Sequence, residues 1–107
     1  MNLIEQKLNH ILELCKKYKV KTLYAFGSVL TDKFNDKSDV DLMVDFKRMP
    51  LKTYSDNYYD LKFSFENLFN RPVDLLEYKA LKNPYLIRSI NQNKKILYGR
   101  ENRKMAV

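Results

Sequence analysis

Residues 39–46, "DVDLMVDF", alternate with a period of two: Val40, Leu42, Val44 and Phe46 are apolar, while the odd positions carry Asp39, Asp41 and Asp45 around Met43. In a strand, residues i and i+2 face the same side, so this segment buries one face and holds two carboxylates in a row on the other, about 6.8 Å apart along the chain. Two like charges that close repel, and each raises the other's pKa unless a cation lies between them. The pair therefore asks for a metal. With oxygen ligands and no histidine or cysteine nearby, it suits Mg²⁺, which takes one or two carboxylates, several waters and the phosphates of a substrate.

The segment before the pair complements it. "VKTLYAF", residues 20–26, is rich in β-branched and aromatic residues and ends at Gly27, as a strand entering a tight turn does. "SVLTDKF", residues 28–34, has the length of a short helix with Ser28 at its N-cap, and "NDKS" is a turn cluster. Backbone amides at such a turn, with the Ser28 hydroxyl, make a phosphate site, and Gly27 lets the backbone approach the anion closely. Lys33 and Lys37, between the cradle and the acids, can neutralise phosphate charge.

The remaining elements follow from periodicity. Ile4, Leu8, Ile11, Leu12, Cys15 and Tyr18 predict an amphipathic helix over residues 3–18. Residues 47–56 read as a loop around Pro50, followed by a long helix behind the capping candidates Ser55 and Asp56, with Tyr58, Leu61, Phe65, Leu68 and Phe69 on its apolar face. "RPVDLLEY", residues 71–78, predicts a third strand. Its alternation is ambiguous: Asp74, Leu76 and Tyr78 share one face, Val73, Leu75 and Glu77 the other, so Glu77 rivals Asp74 as a third acid. Asn83-Pro84 opens a last helix through about Gln92, "KKILYG" allows a short terminal strand, and residues 100–107 read as a loose tail. The order predicts one α/β or α+β domain spanning residues 1–107.

Composition narrows the function. With 45% hydrophobic and 13% aromatic residues, two glycines and three prolines, the chain folds. No apolar run approaches the ~20 residues of a membrane span, and Glu5 and Lys7 interrupt the N-terminal leucines, so a cytoplasmic protein is expected. Cys15, the single cysteine, excludes an intrachain disulfide and reads as a small core residue. A net charge of +7 attracts polyanions, but the lysines are scattered and read mostly as solvated surface. Asp45 reads as a strand-end surface acid and His10 as a surface residue. Arg71 reads as solvent-facing or within reach of a phosphate, and Tyr54, Tyr58 and Tyr59 read as core or as a partner surface.

Gly27-Ser28, ten residues, Asp39-Val40-Asp41 and a later Asp74 on a separate strand resemble the signature of the nucleotidyltransferase superfamily that includes DNA polymerase β. Over residues 20–98 the chain is most similar to its minimal branch, the MntA-like antitoxins paired with HEPN toxins. The resemblance implies a small mixed sheet with flanking helices. It further implies Asp39, Asp41 and Asp74 as catalytic ligands of two Mg²⁺ ions, and Gly27 and Ser28 on the terminal phosphates of ATP, with Lys37 as an added nucleotide contact. Asp74 can also accept the proton of an attacking hydroxyl. The implied reaction moves AMP from ATP to a tyrosine hydroxyl of a partner HEPN toxin. Transfer to a small molecule such as an aminoglycoside, and a non-catalytic antitoxin acting by contact, are the alternatives. The core fills the chain and leaves no room for template or tRNA-binding domains, so nucleic acid is not the expected substrate.

Overall fold

The computed structural model describes residues 2–99, and the tail expected at residues 100–107 lies outside them. Two helices, α1 (Asn2–Gln6) and α2 (Leu8–Lys17), precede strand β1 (Val20–Phe26). A 3₁₀ turn (Gly27–Leu30) leads through a loop to β2 (Val40–Phe46), α3 (Leu51–Phe69) and β3 (Val73–Glu77). A second 3₁₀ turn (Tyr78–Ala80), α4 (Pro84–Asn93) and β4 (Lys95–Tyr98) complete the described chain.

The strands form one sheet in the order β3-β2-β1-β4. β1 runs antiparallel to β2 and β4, whereas β2 and β3, joined by the α3 crossover, are parallel. The expected mixed sheet with flanking helices is therefore present.

Alternation along β2 decides which layer meets which face. Val40, Leu42, Val44 and Phe46 pack with Leu23 and Ala25 of β1, Ile11 and Cys15 of α2, and Leu61 and Phe65 of α3. The opposite face carries Tyr24, Phe26 and Met43, covered by Ile90 of α4. Helices thus lie on both sides of the sheet, and polar side chains of β2 remain only towards its two ends. Burial pushes the Cys15 thiol up to about 12. Native protein treated with iodoacetamide at mildly alkaline pH should gain no adduct, and denatured protein one, by intact mass.

Several boundaries differ from the sequence expectations. The first helix is interrupted at Lys7 rather than continuous. α3 begins at Leu51, so Ser55 and Asp56 lie inside it and Pro50 occupies the N-cap, its φ of −57° suited to the entry. The earlier start lets Tyr54 meet Phe46 edge-on, with ring centroids 5.1 Å apart. At α4 the expectation holds: the Asn83 side chain accepts from the Tyr85 and Leu86 amides at 2.9 and 3.3 Å.

Asp45 is not a surface acid. It is 6% exposed and lies opposite Thr22, itself buried, with the Lys79 ammonium 3.6 Å away. The turn that carries Lys79 follows β3 directly and lies over this end of β2, a proximity that strand alternation alone does not reveal.

Candidate active site

At the opposite end of β2 the acids collect. Asp41 is the register partner of Asp74 in the parallel β2–β3 pair, so the two side chains stand on one face of adjacent strands, which are about 4.8 Å apart. Glu77 is the partner of Val44 on the other face, where its charge lies near the Tyr54 hydroxyl. Burial, then the Glu77 charge, pushes that hydroxyl up to about 12. Of the two rival acids, only Asp74 stands beside Asp41.

Asp39 lies just ahead of β2, at the end of the loop, and is exposed, as is Asp74. Burial pushes the Asp41 carboxyl above its ordinary range, and the nearby charges of Asp74 and then Asp39 push it further. None of the three acids forms an ion pair among the described residues. Nor are three acidic, histidine or cysteine side chains of the described residues gathered tightly enough to grip an ion as they stand. Even so, the donor set is the one a hard divalent cation takes: oxygen only, strongly negative and lacking a counter-charge from the chain.

The Gly27 turn is seated on this cluster. Phe26, the last residue of β1, pairs with Asp41, and Gly27 then turns with φ +75°. A Cβ at Gly27 would lie 3.3 Å from Cγ of Asp41 and closer still to its Oδ2. Only glycine meets both demands, the left-handed backbone and the close approach. The turn is tied by the Thr31 amide and hydroxyl, each donating to the Ser28 carbonyl at 2.9 Å. The Ser28 hydroxyl bonds to no other group of the described residues.

Ser28 does not cap a helix as expected. It lies inside a four-residue 3₁₀ turn whose N-cap is Phe26, and no side chain caps that turn. A segment this short lacks a full helix macrodipole, so any anion would be held by local amides and the hydroxyl.

Lys33 and Lys37 are exposed on the loop between turn and strand, and no contact brings either ammonium to Ser28 or to the acids. Arg71 is half-buried rather than free on the surface: its Nη1 donates to the carbonyls of Asn35 and Ser38 at 2.9 and 3.1 Å. His10 is exposed on α2, the helix covering the other face. Tyr54 and Tyr58 pack against the core, and the Tyr58 hydroxyl donates to the Leu75 carbonyl at 2.6 Å, whereas Tyr59 is exposed.

Beside Gly27 opens a cleft of about 360 Å³ lined by Phe26, Leu30, Thr31, Ser89 and Asn93. Ser89 and Asn93 carry no sequence signal, since only the passage of α4 across the sheet brings them to the turn. Gly27 borders both this cleft and Asp41, an arrangement able to hold a phosphorylated substrate against a cation.

The family model of the polymerase β nucleotidyltransferases matches residues 9–103, and the chain belongs to that family. A Methanocaldococcus jannaschii protein assigned as a protein adenylyltransferase is 37% identical over 75% of this chain and 79% of its own. Among solved structures, a toxin–antitoxin complex with AMP-PNP has a TM-score of 0.68 at 20% identity, covering 92% of this chain and 77% of that one. The complex of a tri-AMPylated Shewanella oneidensis HEPN toxin with an MNT antitoxin has a TM-score of 0.63 at 19% identity, covering 90% of this chain and 72% of the other.

Proposed function

We propose that this nucleotidyltransferase is the antitoxin of a toxin–antitoxin pair and moves AMP from ATP to a hydroxyl, a tyrosine's, of a partner HEPN toxin. The observation that carries the reading is the contact of the Gly27 turn with Asp41, whose register partner is Asp74. It joins a phosphate cradle to a carboxylate cluster without an intervening residue. The adenylyltransferase name of the M. jannaschii relative, the AMP-PNP of one neighbouring complex and the AMPylated toxin of another all favour AMP as the group moved.

In this reading Asp39, Asp41 and Asp74 hold Mg²⁺, two ions in all, which supply charge neutralisation at the reacting phosphates. Gly27 and Ser28 bind the terminal phosphates, with Lys37 as an outlying nucleotide contact that must swing inward. The acceptor oxygen attacks the α-phosphorus in line, the bond to the bridging oxygen breaks, and pyrophosphate leaves. The acceptor's proton passes to Asp74, the exposed acid of the β2–β3 pair.

Label transfer tests the reading. With Mg²⁺ and a lysate of the source cells as acceptor, α-³²P-ATP should label one protein band and γ-³²P-ATP none. Mass spectrometry should find AMP on a HEPN-domain protein. Label found only in a small molecule would favour an antibiotic-modifying enzyme and sink the proposal.

A further inference from the structure

We infer that Arg71 is a positioning residue for the metal site: it fixes the backbone that delivers Asp39 beside the strand entry that delivers Asp74. The inference rests on the reading of Asp39 as a metal ligand.

Asp39 precedes the β2 ladder, so strand pairing alone does not hold it. Its loop is internally turned, with the Lys37 amide donating to Asn35 Oδ1 at 2.9 Å, the Asn35 amide to Ser38 Oγ at 3.1 Å and the Ser38 amide to the Asn35 carbonyl at 3.0 Å. These bonds shape the loop but do not attach it to the sheet. Attachment comes from residues 71 and 72. One Arg71 nitrogen, Nη1, bridges the carbonyls of Asn35 and Ser38, the guanidinium lies 4.6 Å from the centre of the Phe34 ring, and the Val40 amide donates to the Pro72 carbonyl at 3.2 Å.

The Ser38 carbonyl is one peptide bond from Asp39, and Arg71 is three residues from Asp74. A single side chain thus ties the backbone beside Asp39 to the chain that enters β3. What an ammonium cannot reproduce is the rigid plane lying over Phe34, which holds Nη1 where its two N–H groups reach both carbonyls. The Nε of Arg71 is buried without a hydrogen-bond partner among the described residues, consistent with a group enclosed for the sake of the Nη1 bonds.

Arg71→Lys keeps the charge and removes the planar group over Phe34. The variant should keep the wild-type circular dichroism spectrum and bind Mn²⁺, measured by calorimetry with the metal alone, about tenfold more weakly, the size of effect expected when a group supporting a ligand is lost. AMP transfer should fall in kcat with KM for ATP little changed. In an Asp39→Asn background the same substitution should cost no further Mn²⁺ affinity, because Arg71 acts through Asp39. An Arg71→Lys protein that binds Mn²⁺ like wild type, or a substitution that weakens binding equally when Asp39 is already replaced, would overturn the inference. A raised KM for ATP with unchanged metal affinity would do so as well, by making Arg71 a phosphate contact. Wild-type protein that binds no Mn²⁺ would instead defeat the underlying reading of the acids.

Discussion

Asp41→Asn should abolish nucleotidyl transfer, by on the order of 10³-fold or more, and at the same time raise the melting temperature of the metal-free protein. Both effects have one origin. Asp41 is half-buried, and burial together with the charges of Asp74 and Asp39 holds its carboxyl above the ordinary range. The folded protein therefore keeps this proton at a pH where the unfolded chain has released it. Stability falls as pH rises from the ordinary carboxylate range through the raised value. Asparagine does not ionise and escapes the penalty. The difference in melting temperature between variant and wild type should be largest at neutral pH and vanish in acid, below both values. Millimolar Mg²⁺ or Mn²⁺ should stabilise wild type but not the variant, because only the carboxylate gains from the cation. A variant less stable than wild type at neutral pH would remove the claim that Asp41 is held against its own electrostatics.

Gly27→Ala carries the second large effect. The residue has φ +75°, a region costly to alanine, and the added methyl would run into the Asp41 carboxylate. Backbone strain alone predicts a loss of about 1–3 kcal/mol in urea unfolding. The more telling result is on activity. The methyl displaces Asp41, and a shift of about 1 Å in a reacting group costs about 100-fold, so transfer should fall at least that far even where the protein remains folded. Gly27→Ala, Asp41→Gly relieves the clash without restoring the acid, and should recover part of the stability while remaining inactive. If the single variant retained full transfer, the turn and the acid would not be coupled as described.

How much of this was legible beforehand depends on the physical signal at each position. The β2 strand announced itself because its alternation is nearly perfect and its polar positions are carboxylates, so element and candidate site came from the same eight residues. Gly27 was readable as a turn, but not as the residue packed against Asp41, since that contact requires the β1–β2 register that pairs Phe26 with Asp41. The choice between Asp74 and Glu77 was closed to the sequence: a five-residue strand with a leucine and an acid on each face alternates ambiguously, and only pairing with β2 sends Asp74 to Asp41 and Glu77 to the face of Val44.

Asp45 and Arg71 were hidden for another reason. Each is held by residues far along the chain, Asp45 by Lys79 and Arg71 by the carbonyls of Asn35 and Ser38. A lone charge in a sequence carries no trace of such a partner. The start of α3 was misread because Ser55 and Asp56 are good caps locally, whereas packing of Tyr54 on Phe46 favours an earlier turn. Tertiary contact outweighed a local preference of about 1 kcal/mol.

The most direct test separates catalysis from contact. The HEPN toxin proposed as partner, incubated with the chain, ATP and Mg²⁺, then freed of it and weighed intact, should have gained whole AMP units and lost its activity, while the Asp39→Asn, Asp41→Asn variant leaves its mass unchanged and its activity intact. A toxin silenced equally well by the double variant, with no gain in mass, would contradict the account and make the chain an inhibitor by binding alone.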